Sequence, residues 1–253
     1  LVTDVELFDE YPTDYDTYLK RQHRWIRGDW QIGEWLLPLV PTSTNQRTRN
    51  PLPLSSKWKI IDNLRRSIVP PAIFLWLLLA WTVLPGSALV WTAMIVLMFV
   101  FPVYANVTNS IFHHRQGVSW RGHARLNWVE TKTQIQQILL LLAFLGEQSW
   151  NQIDAIIRVL YRKIISKKKL LEWVTFAQVQ DLKPHSPSLA RSIGVGPIAA
   201  LVVAVLIFAI RPTAFFAAAP FLLAWAANPF IKIWARGRPR KKERPLLESE
   251  IQE

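Results

Sequence analysis

Residues Ile68–Leu84 read IVPPAIFLWLLLAWTVL and Ala88–Ala105 read ALVWTAMIVLMFVFPVYA, with only Pro85-Gly86-Ser87 between them. Neither run holds a charged residue. Two further uncharged runs, Ile193–Ile210 and Thr213–Ile231, are parted only by Arg211-Pro212. Each run has 17 to 19 residues, or roughly 25–29 Å of helix at about 1.5 Å per residue, close to the ~30 Å hydrocarbon thickness of a bilayer. The sequence therefore predicts a mainly α, polytopic membrane protein with four transmembrane helices in two hairpins, 68–105 and 193–231. Pro70 and Pro71 fall in the first turn of the first run, where a missing N–H costs little. Pro102, Pro197 and Pro220 are expected to kink or end their helices.

Charge supports this division. Of the 30 Lys and Arg in 253 residues, ten lie in 1–67, twelve in 105–192 and seven in 232–253; Arg211 alone lies elsewhere. A net charge of +12 fits nucleic acid or a membrane surface, but blocks of cations alternating with apolar hairpins favour anionic membrane lipid and no nucleic-acid partner. Positive-inside reasoning puts both tight turns outside and both ends of the chain in the cytoplasm. The tail Arg236–Arg244, RGRPRKKER, reads as a stop-transfer and lipid anchor within a 232–253 linker segment. There is no Cys, hence no disulfide or thiolate site. With no initiator Met and a polar opening, the chain reads as an internal fragment.

The segment 106–192 is expected to be cytoplasmic or interfacial. Ile138–Leu145 is too short to cross and reads as a buried or half-inserted helix. Ile153, Ile156, Ile157, Leu160 and Ile164 form a helical stripe among Arg158, Arg162, Lys163 and Lys167–Lys169. Such a helix suits either the membrane surface or packing on a cytoplasmic domain. His113, His114 and His123 lack a carboxylate at ligand spacing and read as solvated or facing lipid headgroups. The Asn106-Val107-Thr108 sequon lies at a cytoplasmic helix end, where it carries no meaning.

Chemistry concentrates in LVTDVELFDEYPTDYDTYLKRQHRWIRGDWQIGEW, residues 1–35. Asp4, Glu6, Asp9, Glu10, Asp14 and Asp16 form an acidic run, more simply a solvated face than a metal site. The charge then reverses at Lys20, Arg21, Arg24 and Arg27, and Trp25, Trp30 and Trp35 recur every five residues. Aromatic rings beside guanidinium groups suit a membrane interface. They equally suit a nucleotide-sugar site, where a guanidinium holds the diphosphate bidentately and an indole stacks on a pyranose.

Arg21-Gln22-His23-Arg24-Trp25 resembles the Q-(Q/R)-x-R-W signature of processive membrane glycosyltransferases. The longer strings RQHRWIRGDWQ, DVELFDEYP, RNPLPLSSKWKIIDNLRRSIVPP and RKIISKKKLLEWVTFAQ are similar to the cyclic β-1,2-glucan synthases. This resemblance implies that 1–35 is the C-terminal edge of a GT-A α/β catalytic domain, joined by an interfacial connector, 36–67, to the membrane region. It implies that Gln22, Arg24 and Arg21 bind the UDP diphosphate and that Trp25 stacks beneath the terminal glucose of the growing β-glucan. His23, Arg27, Asp29 and Trp30 would support them from behind. Arg21 departs from the signature, which has Gln there. The catalytic base, the D-x-D motif and its divalent metal ion (Mg or Mn) are expected before residue 1. The fragment alone would then be inactive, and the parent enzyme a UDP-glucose-dependent hexosyltransferase of the bacterial inner membrane. Competing readings are an osmoregulated periplasmic glucan or other β-glucan synthase, and a transporter or anchor without catalysis. Transporters usually carry ionisable groups within their spans and internal repeats, which these runs lack.

Overall fold

The computed structural model describes residues 14–41, 46–112, 119–168 and 194–235. Asp4, Glu6, Asp9, Glu10, His113, His114, Lys169 and the tail 236–253 lie outside the described residues. Helices dominate: α1 (Tyr15–Gln31), α2 (Leu54–Thr82), α3 (Ala88–Phe112), α4 (Trp120–Ala143), α5 (Leu145–Tyr161), α6 (Val195–Ile210), α7 (Phe215–Ala226) and α8 (Asn228–Ala235). A 3-10 turn, Ile32–Leu36, follows α1. A short antiparallel pair, β1 (Leu39–Pro41) and β2 (Arg47–Arg49), follows that turn, with Val40 opposite Thr48.

Two helices, α2 and α3, are long and apolar enough to cross a membrane, with 29 and 25 residues. The turn between them needs Gly86, whose φ of +82° is strained for any residue with a Cβ. The first run does not begin its helix, however. The helix starts at Leu54, so Pro70 and Pro71 lie in its interior and not in a first turn. Residues 54–67 stay helical because Asp62 pairs with Arg65 at 2.8 Å and Arg66 at 2.5 Å, one turn on. Their inner side also packs on α1. Pro102 and Pro220 likewise sit inside α3 and α7 and end neither, while Pro197 falls in the first turn of α6.

The second hairpin is shorter and broken. The helix α6 has 16 residues. The run Thr213–Ile231, expected as one span, splits at Ala227 into α7 and α8, bent by 50°. The two hairpins share one apolar core: Leu77, Trp81, Ile207, Ala218 and Trp225 are fully buried together. Polar indole edges are matched inside it. Trp81 Nε1 donates to Thr92 at 2.9 Å, and Trp225 Nε1 donates to the Leu142 carbonyl at 3.0 Å. The two turns lie side by side, since the Arg211 guanidinium donates to the carbonyls of Leu84, at 2.9 Å, and Gly86.

Ile138–Leu145 is not one element. It contains the end of α4, the joint at Phe144 and the start of α5; Ala143, Phe144 and Leu145 are buried. On α5, Ser149, Ala155 and Val159 are buried. Of the stripe Ile153, Ile156, Ile157, Leu160 and Ile164, Ile156 is half-buried and the other four are exposed.

Lys232 also departs from expectation. Grouped by sequence with the basic tail, it is only 4% exposed, and its Nζ lies 2.5 Å from Glu147 and 2.9 Å from Asp16. The bend at Ala227 turns α8 inward, so this cation joins α8 to the first turns of α5 and α1. Burial raises the Glu147 carboxyl above its usual range, against the lowering effect of Lys232.

Candidate functional site

The helix α1 starts where Asp14 caps it, accepting from the Thr17 amide at 2.9 Å. At about 100° per residue, Gln22, Trp25, Ile26 and Asp29 share one side of it. These four, with Arg24, line a cavity of about 490 Å³, to which α2 adds Asn63 and Arg66 and α5 adds Gln152. Such a volume suits a small-molecule site. The wall mixes two guanidinium groups, three side-chain amides, one carboxylate and an indole. Trp25 is 47% exposed, a ring presented for contact and not packed away.

Two contacts seat α1 on α2. Asn63 Nδ2 donates to Asp29 Oδ1 at 3.1 Å, and Trp30 Nε1 donates to Ser67 Oγ at 2.9 Å. Burial raises the Asp29 carboxyl, offset in part by the Asn63 hydrogen bond and the Arg66 charge. On the α5 side, His23 Nε2 lies 2.9 Å from Asp154 Oδ2, which also accepts from Arg158 Nε at 2.7 Å.

The residues singled out in the sequence thus divide. Gln22, Arg24, Trp25 and Asp29 line the cavity. Arg21 does not. It is buried, with its guanidinium carbon 4.8 Å from the centroid of the Trp25 ring, a cation–π contact worth about 0.5–2 kcal/mol. Arg27 and Trp30 are likewise off the lining, and His23 faces α5. Asn63, Arg66 and Gln152 were not legible as site residues. They lie 34 or more positions from Asp29, and only the packing of α2 and α5 on α1 brings them in. Their one signal was that Asn63 and Arg66 fall within RNPLPLSSKWKIIDNLRRSIVPP. Among the described residues no three of His, Asp and Glu gather as metal ligands. His123 instead meets Ser110 at 3.0 Å.

No protein-family model matches the chain. It is 34% identical over 254 residues to the cyclic beta-(1,2)-glucan synthase NdvB of Rhizobium meliloti (strain 1021). That match covers 99% of this chain and 8% of that protein, so the chain spans a small part of its relative's length. The resemblance read from RQHRWIRGDWQ and its flanking strings therefore extends over nearly the whole chain.

Proposed function

We propose that this chain is the acceptor-side edge and membrane anchor of a glucosyltransferase that polymerises glucose from UDP-glucose into β-1,2-glucan. The observation that carries it is the convergence of Gln22, Arg24 and Trp25, joined by Arg66, on one cavity, in a chain similar to a β-glucan synthase along its length. Gln22 and Arg24 bind the UDP diphosphate. Arg21 acts through Trp25: with its guanidinium against one face of the indole, it leaves the other face for a glucose ring. Residues 1–35 belong to the rim of a GT-A catalytic domain. The base and the divalent ion are supplied from elsewhere in the longer protein. Both hairpins span the inner membrane, α6 and the bent pair α7–α8 included, with their turns on the extracytoplasmic face. The exposed stripe of α5 lies on anionic lipid of the cytoplasmic leaflet.

The chemistry assigns the two neighbours to different substrates. A guanidinium on the diphosphate stabilises charge that grows as UDP leaves, so Arg24→Ala lowers turnover more than donor affinity. The expected loss is about 30- to 1,000-fold, equivalent to about 2–4 kcal/mol. Trp25→Ala impairs elongation while UDP binding stays near parental. The measurement, in the full-length parent enzyme, pairs calorimetric UDP affinity with labelled glucose incorporated from UDP-glucose. Parental polymerisation by both variants, inserted and folded, overturns the reading.

A further inference from the structure

The helix that carries the signature is held along its length by α5, a helix more than a hundred residues away that follows the first hairpin. Asn151 Nδ2 donates to the Leu19 carbonyl at 3.2 Å, near the start of α1. Just past α5, in the helical turn Arg162–Ser166, Lys163 Nζ donates to the carbonyl of Gln31, the last residue of α1, at 2.8 Å and lies 3.2 Å from Glu34 in the turn that follows. Between these, His23 meets Asp154, and α5 itself supplies Gln152 to the cavity. His23 is the middle residue of Arg21–Trp25, flanked by the two side chains assigned to the diphosphate, yet it points to α5.

We propose that Asp154 is a positioning residue, which through His23 sets the rotation of α1 about its own axis and so aims Gln22, Arg24 and Trp25 into the cavity. This rests on the transferase reading above. His23 and Gln22 project about 100° apart on the helix. A turn of about 10° would move side-chain ends 5–6 Å from the axis by about 1 Å. Misplacement on that scale can cost on the order of 100-fold in rate.

The chemistry of the pair fits a rigid latch. Asp154 Oδ2 accepts from both His23 and Arg158. Burial raises its carboxyl, but the Arg158 and His23 hydrogen bonds outweigh this and hold it below the usual range. Burial lowers the His23 imidazole, as do the nearby Arg27 and Arg158 charges, against Asp154. A neutral ring donating from Nε2 to a carboxylate anchored by Arg158 leaves a single tautomer and one ring orientation. Asn151 and Lys163 reach only backbone carbonyls of α1 and resist sliding more than rotation. Toward α5, the His23 contact is a side-chain link that resists rotation, beside those of Asp29 and Trp30 to α2.

The test is a double-mutant cycle in the full-length membrane enzyme. Turnover is expressed per folded, inserted molecule and set beside UDP affinity and thermal stability. Asp154→Ala and His23→Ala are each expected to lower turnover about 10- to 100-fold while UDP affinity moves by less than about 3-fold. The double variant is expected to be no worse than either single one. Asp154→Asn, which keeps an acceptor oxygen for both partners, is expected to recover turnover to within about 3-fold of parental. His23→Phe keeps the ring volume without the hydrogen bond and carries the same test if Asp154→Ala fails to insert. Parental turnover in the single variants, losses that multiply in the double variant, or loss of stability with turnover per folded molecule intact would each overturn the latch. Arg24→Ala, run in parallel, separates the two ideas. If it alone loses turnover, the transferase site stands and the latch falls. If it too is parental, the site itself is wrong.

Discussion

The two hairpins answer the same problem differently. In the first, α2 carries two adjacent prolines in its interior and does not break. In the second, α7 passes Pro220 and the chain breaks at Ala227, two residues before Pro229, whose missing N–H cannot continue the ladder to the Trp225 carbonyl. A proline alone therefore does not decide a break, since Pro70-Pro71 and Pro220 are passed and only Pro229 stands at one. The helix α2 is gripped on both sides of Pro70-Pro71. On one side Asn63 and Ser67 hold α1, and on the other Ile73, Leu77 and Trp81 enter the shared core. Those contacts offset a penalty of about 3 kcal/mol for an interior proline. At Ala227 the gain lies in bending, because only the bent α8 brings Lys232 to Glu147 and Asp16. The first hairpin thus serves as an anchor to which α1 is attached laterally. The second reaches α1 directly through a buried ion cluster.

The sharpest way to break this contrast is Lys232→Ala. It leaves Glu147 buried without its cation, and stability should fall by about 3–5 kcal/mol in detergent unfolding measurements. A loss no larger than that of a surface substitution would show that the second hairpin is not tied to α1 by charge.

Gly196→Ala probes how tightly the same hairpin closes. A Cβ there would meet the side chain of the buried Asn228 and lie 2.9 Å from the Trp225 carbonyl. Overpacking of this kind costs about 1–3 kcal/mol, read as a drop in thermal midpoint. An unchanged midpoint would mean that α6 can move away from the α7–α8 bend freely.

The smallest effect is expected in the first hairpin. Gly86→Ala meets no neighbour within 4 Å but must adopt a φ of +82°, costing about 1 kcal/mol. A larger loss would place a structural demand on the first turn that its open surroundings do not indicate. Taken with Gly196→Ala, it separates backbone strain in an open turn from steric closure in a packed one.

Much of the fold was legible because its signals are local. The uncharged runs locate all the described apolar helices. The period of Ile153, Ile156, Ile157, Leu160 and Ile164 marks a helix with an apolar stripe, of which Ile156 is half-buried and the other four are exposed. Gln22, Arg24 and Trp25 were readable as a unit since they share about one turn of one helix. Arg21 was placed with them by the same proximity, but its guanidinium lies against the Trp25 ring and off the cavity lining, a side-chain course that helical spacing does not reveal. The start of α2 at Leu54 was missed because an amphipathic, charged stretch and an apolar one have different signatures, although the backbone continues through both.

By itself the sequence determined the apolar helices, the two tight turns and the kind of chemistry α1 offers, because each depends on side chains within a few residues of one another. Only the tertiary structure decided which distant polar groups meet: Asn63, Arg66 and Gln152 at the cavity, Asp154 on His23, and Lys232 between Glu147 and Asp16. A polar side chain far along the chain carries no local mark of its partner. Its cost of burial is met only once the helices have packed, and it is the packing that selects the pair.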